Sequence, residues 1–546
     1  MTDFTTLTID ATGLRALLGG GAEYALVDVR EPGVTAEQGS ILLAVSIPLS
    51  VLERRVGALV PRRDTPVITY DGGDGDGDGG LAERGAARLR ELGYTDVRVL
   101  AGGLAAWAEA GYKVHSGGDH VIGQAFGEWI EEIYKTPHIS VPEFLERRAA
   151  GEDIVLLDSR PIGEFTNHSL PGGTSIPGAE LVYRAAEVVS SPETLVVVNC
   201  AGRTRSILGA QVLINAGLPN RVVSLEGGTQ SWVLEGHELD HGQRSEAPLP
   251  TGAALDAARA AADRFRERFG IRHIDAATLA RFAADDTRSL YVLDVRTPEE
   301  FAAGHRPGSR SAPSWNVAPW VFRHVGTHGS RVVLVDNDGV RATVAASWII
   351  QLGWAEVFVL DGALDGVELE TGPVVSPDLG LPSGGPRAVT PGELASAPAG
   401  ETLVLDVAPS PDYRAGHLPG AYFAIRARLT ESPSALPATG PTGTGPIVVT
   451  SSDGVLARYA AADLTAVTDR EVRVLDGGTA AWRAAGLPVE TDQVTWLHEP
   501  NDVVSSGWRE TDPEARRAGF RRYLAWELGL VAELDQDDTV PFTTFA

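Results

Sequence analysis

The chain has 546 residues, 43% of them apolar and 22% charged, which fits a folded protein of about three to five domains and excludes disorder over most of its length. A formal charge of −27 repels phosphate, and no basic run offsets it, so nucleic acid and anionic membrane are not expected partners. The single cysteine excludes an internal disulfide and a thiolate-cluster metal site. No apolar run approaches the ~20 residues of a membrane span, and Met1 to Leu18 lacks the pattern of a secretory signal. A reducing, cytoplasmic setting is therefore expected.

In chain order, one unit recurs four times. The first spans about 5–115, with an apolar strand ending in Leu26–Arg30 (LVDVR), a loop from Asp71, a second strand with glycines at Val99–Gly103, and Trp107. The second spans about 138–243 and repeats these marks as Leu156–Arg160 (LLDSR), Cys200, Ser224–Gly228 and Trp232. Within it, an apolar strand at Leu195–Asn199 leads into the Cys200 loop and a helix from about 205 to 216, stopped by Gly217 and Pro219. An Ala- and Arg-rich connecting helix is expected over Ala253–Phe269.

The third unit, about 271–372, carries Val292–Arg296 (VLDVR), Asp336 and Val359–Ala363, with Val367 in place of tryptophan. A Pro/Gly-rich linker at Val375–Pro386 precedes the fourth, about 387–492, with Val404–Ala408 (VLDVA), a surface loop at Pro433–Pro446, Ser451, Val474–Gly478 and Trp482. The tail, 493–546, should hold a helix near Asp512–Leu534 that caps the last unit. From the strand Asp to the first glycine of the second mark is 74, 69, 68 and 71 positions, so the order and spacing are those of tandem repeats. Short apolar strands alternating with helices predict an α/β fold, a parallel β-sheet flanked by helices in each unit.

The repeat places one loop four times after the central strand, opening with Asp71, Cys200, Asp336 and Ser451. Only the second holds a nucleophile with cations beside it, Cys200-Ala-Gly-Arg-Thr-Arg-Ser206. At the C-terminal end of a parallel strand, the turn into a helix exposes backbone N–H groups that favour an anion. A thiolate there is expected to have a lowered pKa, with Arg203 and Arg205 adding positive charge and Ser206 capping the helix or donating to sulfur. The same cradle would hold a persulfide anion.

The sequence here resembles the rhodanese family. The resemblance rests on the Asp-x-Arg strands, the His-x-x-Pro-Gly turn at His168–Gly172 (one residue shorter at His417–Gly420), the Cys loop and the Gly-Gly…Trp segments, and it covers all four units. It implies four tandem rhodanese-like domains, of which one is catalytic. It implies Cys200 as sulfur acceptor, the backbone of Ala201, Gly202, Arg203, Thr204 and Arg205 as cradle, and Arg203 with Arg205 as ligands of a small anionic donor such as thiosulfate. Sulfur would pass from the Cys200 persulfide to a thiol or cyanide, without metal or organic cofactor. Asp158 and Arg160 are assigned to structure. In related two-domain sulfurtransferases the first domain lacks the Cys, so unit one is expected to close the mouth of the Cys200 site. Asp336 would repel an anionic donor and Ser451 has no base near it in sequence, so units three and four are expected to be inactive.

Two other readings stay in view. A persulfide relay or scaffold acting on partner proteins would use the Cys-less units as binding surfaces. A phosphatase or arsenate reductase of the same fold would need a Cys-x5-Arg loop, one residue longer than Cys200 to Arg205. His237–His241 matches the HExxH zinc pattern, but in the repeat it falls on an extended exit segment where the two histidines stand about 13 Å apart. Asp74–Gly79 resembles half a calcium loop, yet position twelve is Gly85 rather than glutamate. The tryptophans after the glycine pairs read as core anchors.

Overall fold

The computed structural model describes residues 7–73, 80–118, 121–382, 384–431, 434, 436–441, 443–491 and 493–545. The acidic Asp74–Gly79 segment lies wholly outside them, and the expected loop at 433–446 partly so.

Four sheets stand in chain order, and their strands pair in parallel. In the second unit the order across the sheet is His138–Ile139, Val222–Leu225, Leu195–Asn199, Ile154–Asp158, Thr174–Ser175. The other three repeat it, with central strands Val67–Tyr70, Arg331–Val335 and Ile447–Thr450. The central strand of the second unit, Leu-Val-Val-Val-Asn, is buried along its whole length because helices cover both faces. Register sets the Asp-x-Arg strand beside it, Asp158 opposite Asn199, so both end where the loop begins.

The helix after Cys200 runs Thr204–Asn215, and Gly217, at φ 73°, turns the chain out of it. The connecting helix runs Gly252–Phe269 and ends at Gly270, φ 60°. Residues 237–241 are not helical; Asp240 bridges to Ser169 in extended chain. Trp107, Trp232 and Trp482 each donate from Nε1 to a carbonyl six residues on, of Lys113, Glu238 and Pro488, at 2.7–2.9 Å, which ties each exit segment to its core.

Two elements outside the repeats decide how the units sit together. A bridging helix, Val121–Tyr134, is buried over most of its length. It packs against the Cys200 helix, the Ser314–Trp320 helix of unit three and the tail helix. Its glycines permit the close approach: a Cβ at Gly123 would stand 1.9 Å from the Pro319 carbonyl oxygen, and one at Gly127 would stand 2.8 Å from Thr204.

The tail does not cap the last unit alone. Thr495–Trp496 adds a sixth strand to unit four, the Asn501 carbonyl accepts from Gly33 of unit one at 2.7 Å, and Trp508 stacks on His168 of unit two at 4.0 Å. The helix Pro513–Leu534 then lies over the Cys200 loop. Beyond it Asp537 meets His115 at 2.7 Å, Asp538 pairs with Arg15, and Thr543 donates to Gln351 of unit three at 2.8 Å. The tail is a strap across all four units. Among the described residues no helix is long and apolar enough to cross a membrane.

Candidate active site

Cys200 leaves the central strand directly after Asn199, and its loop closes within three residues because the next helix starts at Thr204. The glycine pair of the neighbouring strand supports the loop from below. Thr229 N–H donates to the Cys200 carbonyl at 2.9 Å and Gln230 N–H to that of Ala201 at 3.1 Å. Gly228, at φ 51°, has to be glycine, since a Cβ there would stand 2.2 Å from the Cys200 carbonyl oxygen. The recurring glycines are thus a demand of close packing under the loop.

The thiol lies 3.6 Å from the Ser206 hydroxyl, which itself donates to the Arg203 carbonyl at 2.8 Å. Cys200 is 2% exposed. Burial pushes its thiol above the usual value; Arg205 and Ser206 pull it down, and Glu527 pushes it up again. The sequence pointed to a lowered pKa. The difference is tertiary, because the loop is covered by helices that no local pattern announces.

Arg203 and Arg205 both stand at the loop, and both are engaged by carboxylates. Arg203 forks onto Glu128 of the bridging helix, at 2.9 Å twice, and also reaches Glu131. Arg205 forks onto Glu164 at 2.8 and 2.9 Å with Trp320 of unit three against its face. Beneath them Arg160 donates to both oxygens of Asp158 at 2.9 and 2.7 Å and to His168 Nε2 at 2.9 Å, which locks the Asp-x-Arg strand to the His-x-x-Pro-Gly turn. Burial and the adjacent Arg160 lower the His168 pKa to about 4, so the ring is neutral and can accept that bond.

The cover over the loop comes from outside the repeats. Glu527 of the tail helix accepts from Thr204 Oγ1 at 3.1 Å and from Tyr523 at 3.0 Å, and Tyr523 accepts from Gln124 of the bridging helix at 3.0 Å. A Cβ on Gly202 would stand 3.0 Å from both Glu527 and Tyr523, so the glycine lets the tail helix settle on the loop. Burial, with Glu128 close by, pushes the Glu527 carboxyl up to about 8, and its Oε2 has no hydrogen-bond partner. The mouth of the site is closed by these two helices rather than by the unit-one repeat itself.

Glu164, Glu128, Glu131, Tyr523 and Glu527 were not singled out from sequence. Glu164 had a signal: it follows the Asp-x-Arg arginine by four, as Glu300 follows Arg296, and Glu300 forks onto Arg341 in the same way at 2.7 and 2.9 Å. The others had none, since they sit on helices outside the repeat.

The three other loops carry a side-chain oxygen where unit two has its sulfur. Asp336 accepts from the N–H groups of Asp338, Gly339 and Ala342 at 3.2, 2.6 and 2.9 Å. Asp71 accepts from Gly73 and Ala82, both at 3.0 Å, and Ser451 from Ala457 at 3.2 Å.

A parallel sheet with a loop into a helix after its central strand, repeated four times, defines a tandem α/β protein built from rhodanese folds. The family model described as rhodanese-like domain matches residues 10–110, 140–235, 275–370 and 390–485, and the chain belongs to the rhodanese family. A crystal structure of a thiosulfate sulfurtransferase from Pseudomonas aeruginosa superposes with a TM-score of 0.91 at 40% identity, covering 99% of this chain and 100% of that one. The thiosulfate sulfurtransferase GlpE of Pseudomonas aeruginosa is 32% identical over 93 residues, 16% of this chain and 83% of that protein. The HTH-type transcriptional regulator Rv0324 of Mycobacterium tuberculosis is 35% identical over 104 residues, 19% of this chain and 45% of its own length.

Proposed function

We propose that the protein transfers sulfane sulfur through a persulfide on Cys200, taking it from a small anionic donor such as thiosulfate and passing it to a thiol or cyanide. The Cys200 thiolate attacks the outer sulfur of the donor, the S–S bond to the leaving sulfite breaks, and the terminal sulfur of the persulfide is then taken by the acceptor. The observation that carries this reading is the contrast among the four loops: three place an oxygen of Asp71, Asp336 or Ser451 at their head, while the second presents a thiol. The likeness to thiosulfate sulfurtransferases supports the choice of donor.

Donor access requires the tail helix to lift from Gly202 and Thr204, because Cys200 is sealed while it is down. With Glu527 withdrawn, the cations nearest the loop are Arg203 and Arg205, and we assign them to orienting the donor and holding the persulfide charge. The backbone of Ala201 to Arg205 and the Ser206 hydroxyl complete the cradle. When the helix returns it keeps water from the persulfide. A reducing compartment such as the cytoplasm would keep the thiol available.

The test is intact mass after incubation with thiosulfate. One added sulfur atom on the wild type and none on Cys200→Ser supports the reading; no mass gain on the wild type removes it. Turnover with thiosulfate and cyanide alone separates an enzyme from a persulfide relay that works only on partner proteins.

A further inference from the structure

In three of the four units the second residue after the strand aspartate is an arginine folded back onto it. Arg30, Arg160 and Arg296 each donate from Nε and Nη2 to Asp28, Asp158 and Asp294 at 2.5–3.0 Å. In each, Nη2 also reaches a carbonyl, of Gly39, His168 or Gly304, at 2.7–2.9 Å. Unit four keeps the aspartate as Asp406 and has Ala408 where the arginine belongs. A second guanidinium is missing too. Arg205 and Arg341, five residues after the nucleophile position, fork onto Glu164 and Glu300, whereas unit four sets Leu456 and Asp412 at those places.

A cavity of about 230 Å³ stands there, lined by Asp406, Ala408, Asp412, Gly416, Ser452 and Arg483 among others. Asp406 is 1% exposed and accepts one bond, from Ala408 N–H at 2.9 Å; its Oδ2 has no partner among the described residues. Asp412 accepts from Ser452 Oγ at 2.7 Å. Arg483 does not replace the lost cations. It turns to the Gly416 carbonyl at 2.7 Å, the counterpart of Gly39, His168 and Gly304, and pairs with neither carboxylate among the described residues. Burial pushes the Asp406 carboxyl up to about 7, Asp412 adds to the rise, and no cation offsets it.

We propose that this cavity binds a small guanidinium-bearing ligand, whose planar fork takes the place that an arginine of the chain fills in the other three units. A buried carboxylate without a cation is costly, and a guanidinium matches both of its oxygens at once while a compact ammonium does not. The cavity is smaller than the roughly 300–1,000 Å³ of sites for drug-sized molecules, which limits the ligand to a guanidinium on a short stem.

The test is calorimetric titration and thermal melting of the full chain with methylguanidinium and with agmatine, using propylammonium as the control cation. Saturable binding of the two guanidinium compounds is expected, with propylammonium weaker by about tenfold or more. Ala408→Arg should abolish that binding and raise the melting temperature by itself, because it seats a tethered guanidinium. Asp406→Asn should also abolish binding, and it decides the matter if Ala408→Arg does not fold. No saturable binding down to a Kd of ~10 mM, or binding that survives in Asp406→Asn, overturns the proposal. So does binding of an arginine-containing peptide without binding of the free guanidinium compounds, which would give the seat to a partner's side chain.

Discussion

Units two and three keep one arginine in a loop that otherwise differs, Cys200-Ala-Gly-Arg-Thr-Arg-Ser206 against Asp336-Asn-Asp-Gly-Val-Arg-Ala342. Both place an arginine five residues after the nucleophile position and fork it onto a glutamate of the short helix that follows the Asp-x-Arg strand, Arg205 on Glu164 and Arg341 on Glu300. Unit three nevertheless has Asp336 where unit two has Cys200, and that carboxylate accepts three N–H groups of its own cradle. The arginine–glutamate fork is therefore part of how the loop is built, and its presence does not mark a working site. On the proposed function, the working loop is the one that carries the thiol.

The strongest way to break this comparison is to exchange the two groups. Cys200→Ser should fold normally and lose sulfur transfer to below about 1% of wild type, since no other thiol exists. Adding Asp336→Cys to that variant should restore none of it, measured as thiosulfate:cyanide transfer, because Arg341 is held by Glu180 of unit two as well as by Glu300. Robust activity from the double variant would show that any thiol in this cradle suffices.

Arg205→Ala sharpens the same contrast. Arg205 lowers the Cys200 pKa, so its loss should raise that pKa and slow alkylation at neutral pH by about tenfold. An unchanged alkylation profile would leave Arg205 as scaffold only, like Arg341. Asp336→Ala should cost unit three about 1–3 kcal/mol in chemical denaturation, from unpaired buried N–H groups, with sulfur transfer untouched. Loss of transfer would couple unit three to the site.

The smallest effect concerns the cover. The Glu527 carboxyl lies near 8 when folded against about 4.5 when free, so its contribution to stability is present in full below about 4.5 and is lost as pH rises through about 8. Glu527→Gln should flatten that decline in a melting-temperature series from about pH 4 to about pH 9. It should also move the Cys200 alkylation profile to lower pH, because Glu527 holds the thiol pKa up. A series that declines as steeply as wild type would mean another group carries it.

Much of this was legible in the chain. Repeats of an apolar strand with Asp-x-Arg, and of a strand with paired glycines, located four sheets and put Cys200 at the end of a central strand, because strand alternation and glycine geometry are local demands. The direction of the Cys200 pKa was not legible. It depends on a helix more than 300 residues further along the chain, Pro513–Leu534, whose polar pattern shows no apolar face to announce what it covers. The closing of the mouth was likewise assigned to unit one, where the bridging helix and the tail perform it.

By itself, then, the sequence determined the number of units, their parallel sheets, the position of each loop and the identity of the one thiol. Spacing and side-chain periodicity set these within some hundred residues of chain. The tertiary structure alone decided which carboxylates meet Arg203, what seals Cys200, and that Asp406 of unit four faces a cavity. Charge pairing and burial between segments far apart in the chain follow from how helices pack. No local pattern encodes the partner that packing will supply.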